Sequence, residues 1–232
     1  MGERIRIDVA DGTFGAYLAR PDATAPAPAV VVAQEIFGIN ADMRATCDEL
    51  AAQGFLALCP DLFWRQEPGV ELSAFDDAEW QRGLALYQAF DFDRGVDDLA
   101  GALAAARALP GASGRVGLMG FCMGGLLTYL TAARRGVDAG VAYYGGGTER
   151  HLGEAAGLDS PLLVHLAEED EFIDPPAQAA IRDVLGPKPG VRIHSYAGCN
   201  HAFARHSGAH HDAAAARLAQ SRTLAFLHGH LD

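Results

Sequence analysis

The sequence lacks the features of a membrane-spanning or disulfide-stabilised protein. It contains no run of about 18 apolar residues, so we expect no membrane-spanning helix. In its first residues, MGERIRIDVADG, apolar and charged side chains alternate, unlike in a secretory signal peptide. The four cysteines show no CxxC spacing and a low density, which argues against a disulfide framework and a zinc knuckle. We therefore expect a cytoplasmic protein with free thiols.

Basic residues are in the minority. The chain has 18 Lys and Arg against 30 Asp and Glu, a formal net charge of −12, so we expect neither a nucleic acid nor a membrane as partner. The 232 residues, half of them hydrophobic, are enough to bury a substantial core. We expect a single domain over residues 1–232, present as a monomer or small homo-oligomer.

Short apolar runs alternate with helical patterns along most of the chain. The runs predict buried strands at 29–33, 55–59, 115–119, 140–144, 161–166 and 191–196. The patterns between them predict helices at about 41–53, 76–90, 93–109, 123–135, 176–185 and 210–228. RIRIDV and TFGAYLAR predict an N-terminal antiparallel hairpin, followed by a Pro/Ala connector. The sequence therefore predicts a doubly wound, mostly parallel α/β sheet with helices on both faces.

A cysteine lies in a cluster of glycines directly after the strand 115–119. In Gly120-Phe121-Cys122-Met123-Gly124-Gly125, the glycines suit a sharp strand-to-helix turn that would hold Cys122 clear of the sheet. The N-terminus of the following helix would favour a thiolate. A buried structural cysteine is the alternative, but this context favours a nucleophile.

Acidic residues and a histidine follow two later strands. HLAEEDEFIDPP begins within the strand 161–166, and SYAGCNHAF places His201 after the final strand. The order nucleophile, acid, histidine is that of an α/β-hydrolase triad, in which the carboxylate fixes the histidine tautomer. The residues alone leave the acid open among Glu168, Glu169, Asp170, Glu171 and Asp174.

Glu35 lies in AQEIFG, directly after the strand 29–33. In such hydrolases this loop supplies a backbone donor to the oxyanion, and a carboxylate there would oppose the developing charge. Glu35 could instead act on the thiol of Cys122. The alternative is a solvated loop carboxylate.

The segment CNHAFARHSGAHHD is a rival candidate, because its cysteine and histidines could bind a metal. Its candidate ligands are Cys199, His201, His206, His210, His211 and Asp212. Their spacings match no zinc pattern, and Gly208 interrupts any i, i+4 helical pair. We therefore expect no metal site and no other cofactor.

Taken together, AQEIFG, GFCMGG, the aspartate in EEDEF and GCNHAFAR resemble the dienelactone hydrolase (carboxymethylenebutenolidase) family over essentially the whole chain. The cysteine is specific, since most α/β hydrolases have serine there. The resemblance implies an α/β-hydrolase fold with a triad of Cys122, His201 and Asp170. It also implies that Glu35 interacts with the resting thiol.

The family's reaction opens an unsaturated lactone that bears a carboxylate, giving maleylacetate in aromatic-compound degradation. The resemblance implies a thioester acyl-enzyme, oxyanion donors at the backbone N–H groups of Met123 and Ile36, and Phe37 among the substrate-binding residues. A carboxylesterase or thioesterase acting on other activated esters is the alternative. A thiol-sensing protein, which would react once and stop, is a hypothesis from another class.

A substrate carboxylate calls for an arginine, and Arg205 matches a substrate-binding arginine of the family. Trp80 stands where the family has a second arginine, and Leu84 replaces a family tyrosine. Arg82, two residues after Trp80, would point about 200° away on a helix, so we expect a surface residue there. These departures predict a more apolar pocket and a shifted substrate specificity.

Overall fold

The computed structural model of the protein describes residues 2–22 and 25–232. It divides into two compact units, Met1–Leu118 and Met119–Asp232. The predicted Pro/Ala connector falls partly outside the described residues. Within the described ranges, no helix combines the length and apolar character needed to cross a bilayer.

The first unit contains the N-terminal hairpin. Its elements are β1 (Glu3–Val9), β2 (Gly12–Ala19), β3 (Ala27–Ala33), α1 (Ala41–Ala52), β4 (Leu56–Pro60), α2 (Asp77–Gln88) and α3 (Phe92–Arg107). Its strands follow the order β1-β2-β4-β3. The strand β2 pairs antiparallel with both β1 and β4, whereas β3 and β4 are parallel. The predicted antiparallel edge is therefore confirmed.

The strand β5 (Ala112–Phe121) begins in the first unit and ends in the second. The second unit continues with α4 (Met123–Arg134), β6 (Ala139–Tyr143), β7 (Leu162–Ala167), α5 (Pro175–Leu185), β8 (Val191–Tyr196) and α6 (Ala213–Leu231). The strands β6, β7 and β8 are parallel neighbours. The residues that follow them therefore meet at one edge of the sheet.

The predicted strands and helices are present, with ends within three residues of those expected. Side chains along β4, β6 and β7 are buried throughout, as continuous apolar runs predict for parallel strands. The helix α6 begins later than the pattern predicts, because Asp212 caps it by accepting from the N–H groups of Ala214 and Ala215. A 3₁₀ helix at Thr148–Gly157 was not predicted.

The irregular segment between β4 and α2 is clamped to the first unit by Arg65. Its guanidinium binds the carboxylates of Asp11 and Asp98, with N–O distances of 2.7–3.0 Å. The indole N–H of Trp64 also donates to Asp98, at 2.9 Å. Because Asp98 is buried, these donors satisfy a carboxylate that burial alone would destabilise.

Candidate active site

Cys122 occupies a left-handed backbone position between β5 and α4, with φ of 53° and ψ of −116°. This conformation is strained for a residue other than glycine. Its N–H donates to the Tyr143 carbonyl oxygen at 3.0 Å, and its own carbonyl oxygen accepts from the N–H groups of Gly125 and Leu126. Cys122 is the N-cap of α4 and partly exposed, so the positive end of the helix dipole lies beside it.

Two glycines of the motif are required by close backbone approach. A Cβ at Gly120 would lie 2.1 Å from the Gly124 carbonyl oxygen, and one at Gly125 would lie 2.4 Å from the Tyr143 carbonyl oxygen. Both obstacles are backbone atoms, which cannot rotate away. The tight turn around Cys122 therefore depends on these glycines.

We expect Gly125→Ala to lower the free energy of unfolding by about 2 kcal/mol or more, because the added methyl group overlaps the backbone of β6. The matched control is Gly229→Ala in α6, where a Cβ would meet nothing within 4 Å. That exchange should raise the free energy of unfolding by about 0.5–1 kcal/mol. Urea denaturation of both variants measures the difference, and equal stabilities would contradict this account of the turn.

Asp170 and His201 form a buried hydrogen-bonded pair. Nδ1 of His201 lies 3.0 Å from each carboxylate oxygen of Asp170, and the two side chains are 6% and 0% exposed. Oδ1 of Asp170 also accepts from the N–H groups of Phe172 and Ile173. These donors hold the carboxylate in place, so that it can fix the Nδ1–H tautomer of His201.

The structure separates the five acidic candidates that the sequence left open. Glu168, Glu169 and Glu171 are exposed. Asp174 caps α5 by accepting from the Ala177 N–H at 2.9 Å. Asp170, buried against the histidine ring, is the candidate with the geometry of a triad acid.

The second ring nitrogen of His201, Nε2, is buried and has no hydrogen-bond partner among the described residues. Burial opposes a charge on this ring. The negative charge of a Cys122 thiolate and the hydrogen bond to Asp170 outweigh that penalty and raise the pKa of His201 to about 10. Charge attraction is the larger of the two ways in which Cys122 raises this pKa, and a hydrogen bond is the smaller.

This raised pKa predicts a pH-dependent contribution to stability. Folded His201 keeps its proton up to about pH 10, whereas an unstructured histidine releases it near 6.5. The contribution of His201 is therefore fully present below pH 6.5 and is lost as the pH rises through about 10. We expect the free energy of unfolding to fall more steeply across this window in the wild type than in His201→Gln. Urea denaturation at several pH values measures this dependence. The same change with pH in both proteins would contradict the prediction.

Strained backbone is concentrated near His201. Among the described residues, the non-glycine positions with positive φ are Cys122, Tyr144 and Ala202. Tyr144 directly follows β6 and places its ring 5.0 Å from that of His201, while Ala202 is the next residue along the chain. Such strain persists where surrounding contacts enforce it, as at active sites.

Two aromatic residues at this site escaped prediction from the sequence. The rings of Tyr144 and Phe172 lie 5.0 Å and 4.8 Å from the His201 ring, measured between centroids. Tyr144 is buried, whereas Phe172 is exposed. Their positions in the sequence could have indicated both residues, since Tyr144 directly follows β6 and Phe172 comes two residues after Asp170.

The loop after β3 belongs to the first unit. Glu35, Ile36 and Phe37 are all buried, with Glu35 only 2% exposed. The alternative of a solvated loop carboxylate at Glu35 is therefore wrong. The catalytic and substrate-binding roles predicted for these three residues stay predictions.

The same loop is held by the irregular segment that precedes α2. Gly38 and Glu71 form an isolated antiparallel bridge, and the Leu72 N–H donates to the Phe37 carbonyl oxygen at 2.8 Å. A Cβ at Gly38 would lie 1.8 Å from the Val70 carbonyl oxygen, so this contact requires glycine. The backbone after β3 is therefore fixed by a distant part of the sequence.

Trp80 is half-buried in α2, on the helix face that packs against the loop after β3. Gly83, one turn further on, approaches so closely that a Cβ would lie 2.7 Å from the Ile36 carbonyl oxygen. The face of α2 that Trp80 shares with Gly83 therefore contacts that loop. Arg82 is exposed and pairs with Glu67, as expected for a surface residue.

Arg205 is half-buried in the coil that follows His201. Its N–H donates to the Ala202 carbonyl oxygen at 3.0 Å, and its own carbonyl oxygen accepts from Nδ1 of His211 at 2.7 Å. Its guanidinium lies beside Gly208, where an added Cβ would be 3.5 Å from Nη1. The substrate-binding part predicted for Arg205 stays a prediction.

His210 and His211 contact backbone oxygens. Nδ1 of His210 lies 3.1 Å from the His201 carbonyl oxygen, and His211 contacts Arg205 in the same way. Over residues 2–22 and 25–232, no group of three or more His, Cys, Asp or Glu side chains could hold a metal ion.

The mostly parallel sheet, the cysteine at a strand-to-helix turn and the Asp–His pair after later strands define the protein as an α/β hydrolase. A family model described as the dienelactone hydrolase family matches residues 14–231. The chain belongs to the dienelactone hydrolase family, as its motifs predict, and is an enzyme of this hydrolase class.

Individual relatives agree with this assignment. The chain is 46% identical over 222 residues to a candidate carboxymethylenebutenolidase of Azospirillum brasilense, covering 95% of each chain. It is 44% identical over 226 residues to a carboxymethylenebutenolidase of Pseudomonas putida, covering 97% of this chain and 95% of the relative. The solved structure of a candidate dienelactone hydrolase from Klebsiella pneumoniae superposes with a TM-score of 0.87, at 28% identity and 98% coverage of each chain.

Proposed function

We propose that the protein opens the ring of a dienelactone-type substrate, with Cys122 as nucleophile and His201 and Asp170 as its partners. The observation that carries the proposal is the buried His201–Asp170 pair, whose Nδ1–O distances are both 3.0 Å and whose Nε2 is left for the thiol. Family membership and the relatives named carboxymethylenebutenolidase support the substrate class.

In the proposed acylation step, the thiolate sulfur of Cys122 attacks the lactone carbonyl carbon, and a C–S bond forms. The bond from that carbon to the ring oxygen then breaks, and the enolate oxygen takes the proton from Nε2 of His201. An enol is a good leaving group, so a thiolate suffices for this step. The product at this stage is a thioester whose acyl chain carries the opened ring.

In the proposed deacylation step, neutral His201 takes a proton from water, and the resulting hydroxide adds to the thioester carbonyl carbon. The C–S bond breaks, the acid is released, and Cys122 returns to the thiolate. Asp170 holds the ring in one tautomer throughout and stabilises the imidazolium. The released enol tautomerises to maleylacetate.

The oxyanion formed in each step needs backbone donors. Met123 is the first residue of α4, so its N–H points out of the helix N-terminus beside Cys122 and can donate to the oxyanion. The N–H of Ile36, predicted from the resemblance, is proposed as the second donor.

Hydrolysis of the two dienelactone isomers tests the proposal. We expect turnover of at least one isomer, and a covalent adduct on a Cys122-containing peptide when the reaction is quenched early and analysed by mass spectrometry. Failure to hydrolyse either isomer would exclude this substrate class.

The second candidate function is hydrolysis of other activated esters or thioesters. Trp80, half-buried on the face of α2 that contacts the loop after β3, favours it, because this position offers apolar area where the resemblance implies a cation. A panel of aryl esters and acyl thioesters decides between the two. Faster turnover of these compounds than of both dienelactone isomers would favour the second candidate.

We expect Glu35→Gln to lower the acylation rate constant about ten-fold or more while leaving substrate affinity nearly unchanged, because a buried carboxylate that acts on the thiol contributes to bond formation rather than to binding. Single-turnover kinetics separate the two quantities. The control is Glu67→Gln, which alters an exposed carboxylate in the same unit. An unchanged acylation rate in Glu35→Gln would assign Glu35 a structural part.

A further inference from the structure

Phe172 is a large apolar side chain that is exposed to solvent. It is 56% exposed, although an aromatic ring of this size gains most from burial. Its exposure does not reflect a loose chain, because its N–H donates to Oδ1 of Asp170 at 2.9 Å and the Ile173 N–H donates to the same oxygen. Asp174 then caps α5. The ring is therefore presented to solvent from a fixed backbone.

The ring of Phe172 stands edge-to-face against His201. Their centroids are 4.8 Å apart, with an interplanar angle of 83°. Tyr144 also contacts the His201 ring but is itself buried, so Phe172 is the aromatic contact that faces solvent. An acyl group on Cys122 must come within reach of His201 for deacylation, which brings it close to this exposed ring.

The loop beside Phe172 is a run of three glycines. A Cβ added at Gly146 would lie 3.8 Å from the Cβ of Phe172, an ordinary van der Waals distance, and its neighbours Gly145 and Gly147 also lack side chains. This loop therefore presents backbone, not side chains, next to Phe172. A flat group can stack on the exposed ring of Phe172 over a larger area than a puckered one.

We propose that Phe172 contacts the acyl part of the substrate and selects for flat, unsaturated acyl chains. The proposal rests on the proposed function, because it takes Cys122 as the site of acylation. Aromatic contacts of this kind contribute about 0.5–1.5 kcal/mol beyond burial, which corresponds to roughly two- to twelve-fold in specificity. Phe172 would thereby act on the acyl group directly, in addition to covering His201.

The test compares two aryl esters that differ in one double bond, p-nitrophenyl crotonate and p-nitrophenyl butyrate. The ratio of their kcat/KM values measures the preference for a flat chain with the leaving group held constant. We expect Phe172→Leu, which keeps an apolar side chain without the flat ring, to lower this ratio roughly five-fold. Phe172→Tyr should retain the wild-type ratio, and the control Leu218→Ala, at an exposed position of α6, should not change it.

Two outcomes would overturn the proposal. An unchanged ratio in Phe172→Leu would show that the ring does not contact the acyl chain. An equal loss of kcat/KM for both esters, together with a shifted pH–rate profile, would show that Phe172 only supports His201. Failure of the proposed function is a separate result, because the wild type would then hydrolyse these esters through Cys122 but neither dienelactone isomer.

Discussion

Cys122→Ala abolishes turnover, with kcat/KM expected to fall by at least about a thousand-fold while the fold persists. The physical reason is that the sulfur is the atom proposed to form the bond to the substrate, and an alanine side chain has no atom that can form it. The strained backbone at this position is held by bonds to Tyr143, Gly125 and Leu126, none of which involves the side chain. Circular dichroism should therefore match the wild type, and urea denaturation should remain a single cooperative transition.

Alkylation gives an independent check on the same residue. Cys122 is partly exposed, whereas the other three cysteines, Cys47, Cys59 and Cys199, are buried. Iodoacetamide should therefore modify one thiol of the native protein, with activity lost in proportion, and all four after denaturation. Activity that survives modification of Cys122, or full activity in Cys122→Ala, would rule out the nucleophile.

We expect Asp170→Asn to lower kcat roughly a thousand-fold, because the exchange favours the wrong tautomer of His201. The amide oxygen at this position must still accept from the N–H groups of Phe172 and Ile173, which turns the NH₂ group toward Nδ1. The NH₂ group favours an Nδ1 that accepts, which leaves the ring proton on Nε2, and this tautomer cannot take a proton from the thiol. Loss of the negative charge also lowers the pKa of His201.

The pH dependence of kcat over the neutral to alkaline range measures both effects of Asp170→Asn. Glu171→Gln is the matched control, since Glu171 is the adjacent acid but is exposed, and its activity should stay within about two-fold of the wild type. Equal losses in the two variants would mean that the acidic run acts through its overall charge and not through one buried carboxylate.

The sequence predicts the parallel strands and the cysteine turn because each depends on local chemistry. Continuous apolar runs are required in strands buried on both faces, so runs such as 140–144 and 161–166 identify β6 and β7. The turn at Cys122 needs glycine at 120 and 125 for steric reasons, and those glycines are visible in the sequence. Features that depend on such local requirements can be predicted from the sequence alone.

The remaining features depend on contacts between distant residues. Chemistry alone did not single out Asp170, because its burial against His201 depends on the path of the chain after β7. The contact of Phe172 with the histidine ring and the burial of Glu35 likewise arise only when separate segments meet. The family resemblance supplied Asp170 and Glu35, but neither the resemblance nor the pattern indicated Phe172.

The bridge between Gly38 and Glu71 has a consequence for engineering new specificities. The segment that bears Glu71 is anchored by Arg65 to Asp11 and Asp98, and it in turn fixes the backbone that follows β3. The loop after β3 and the segment that bears Glu71 are far apart in sequence, but they form one structural unit that must be exchanged as a whole. A chimera that exchanges either stretch alone with a relative would combine mismatched partners, whereas exchanging both together would carry the donor's geometry intact.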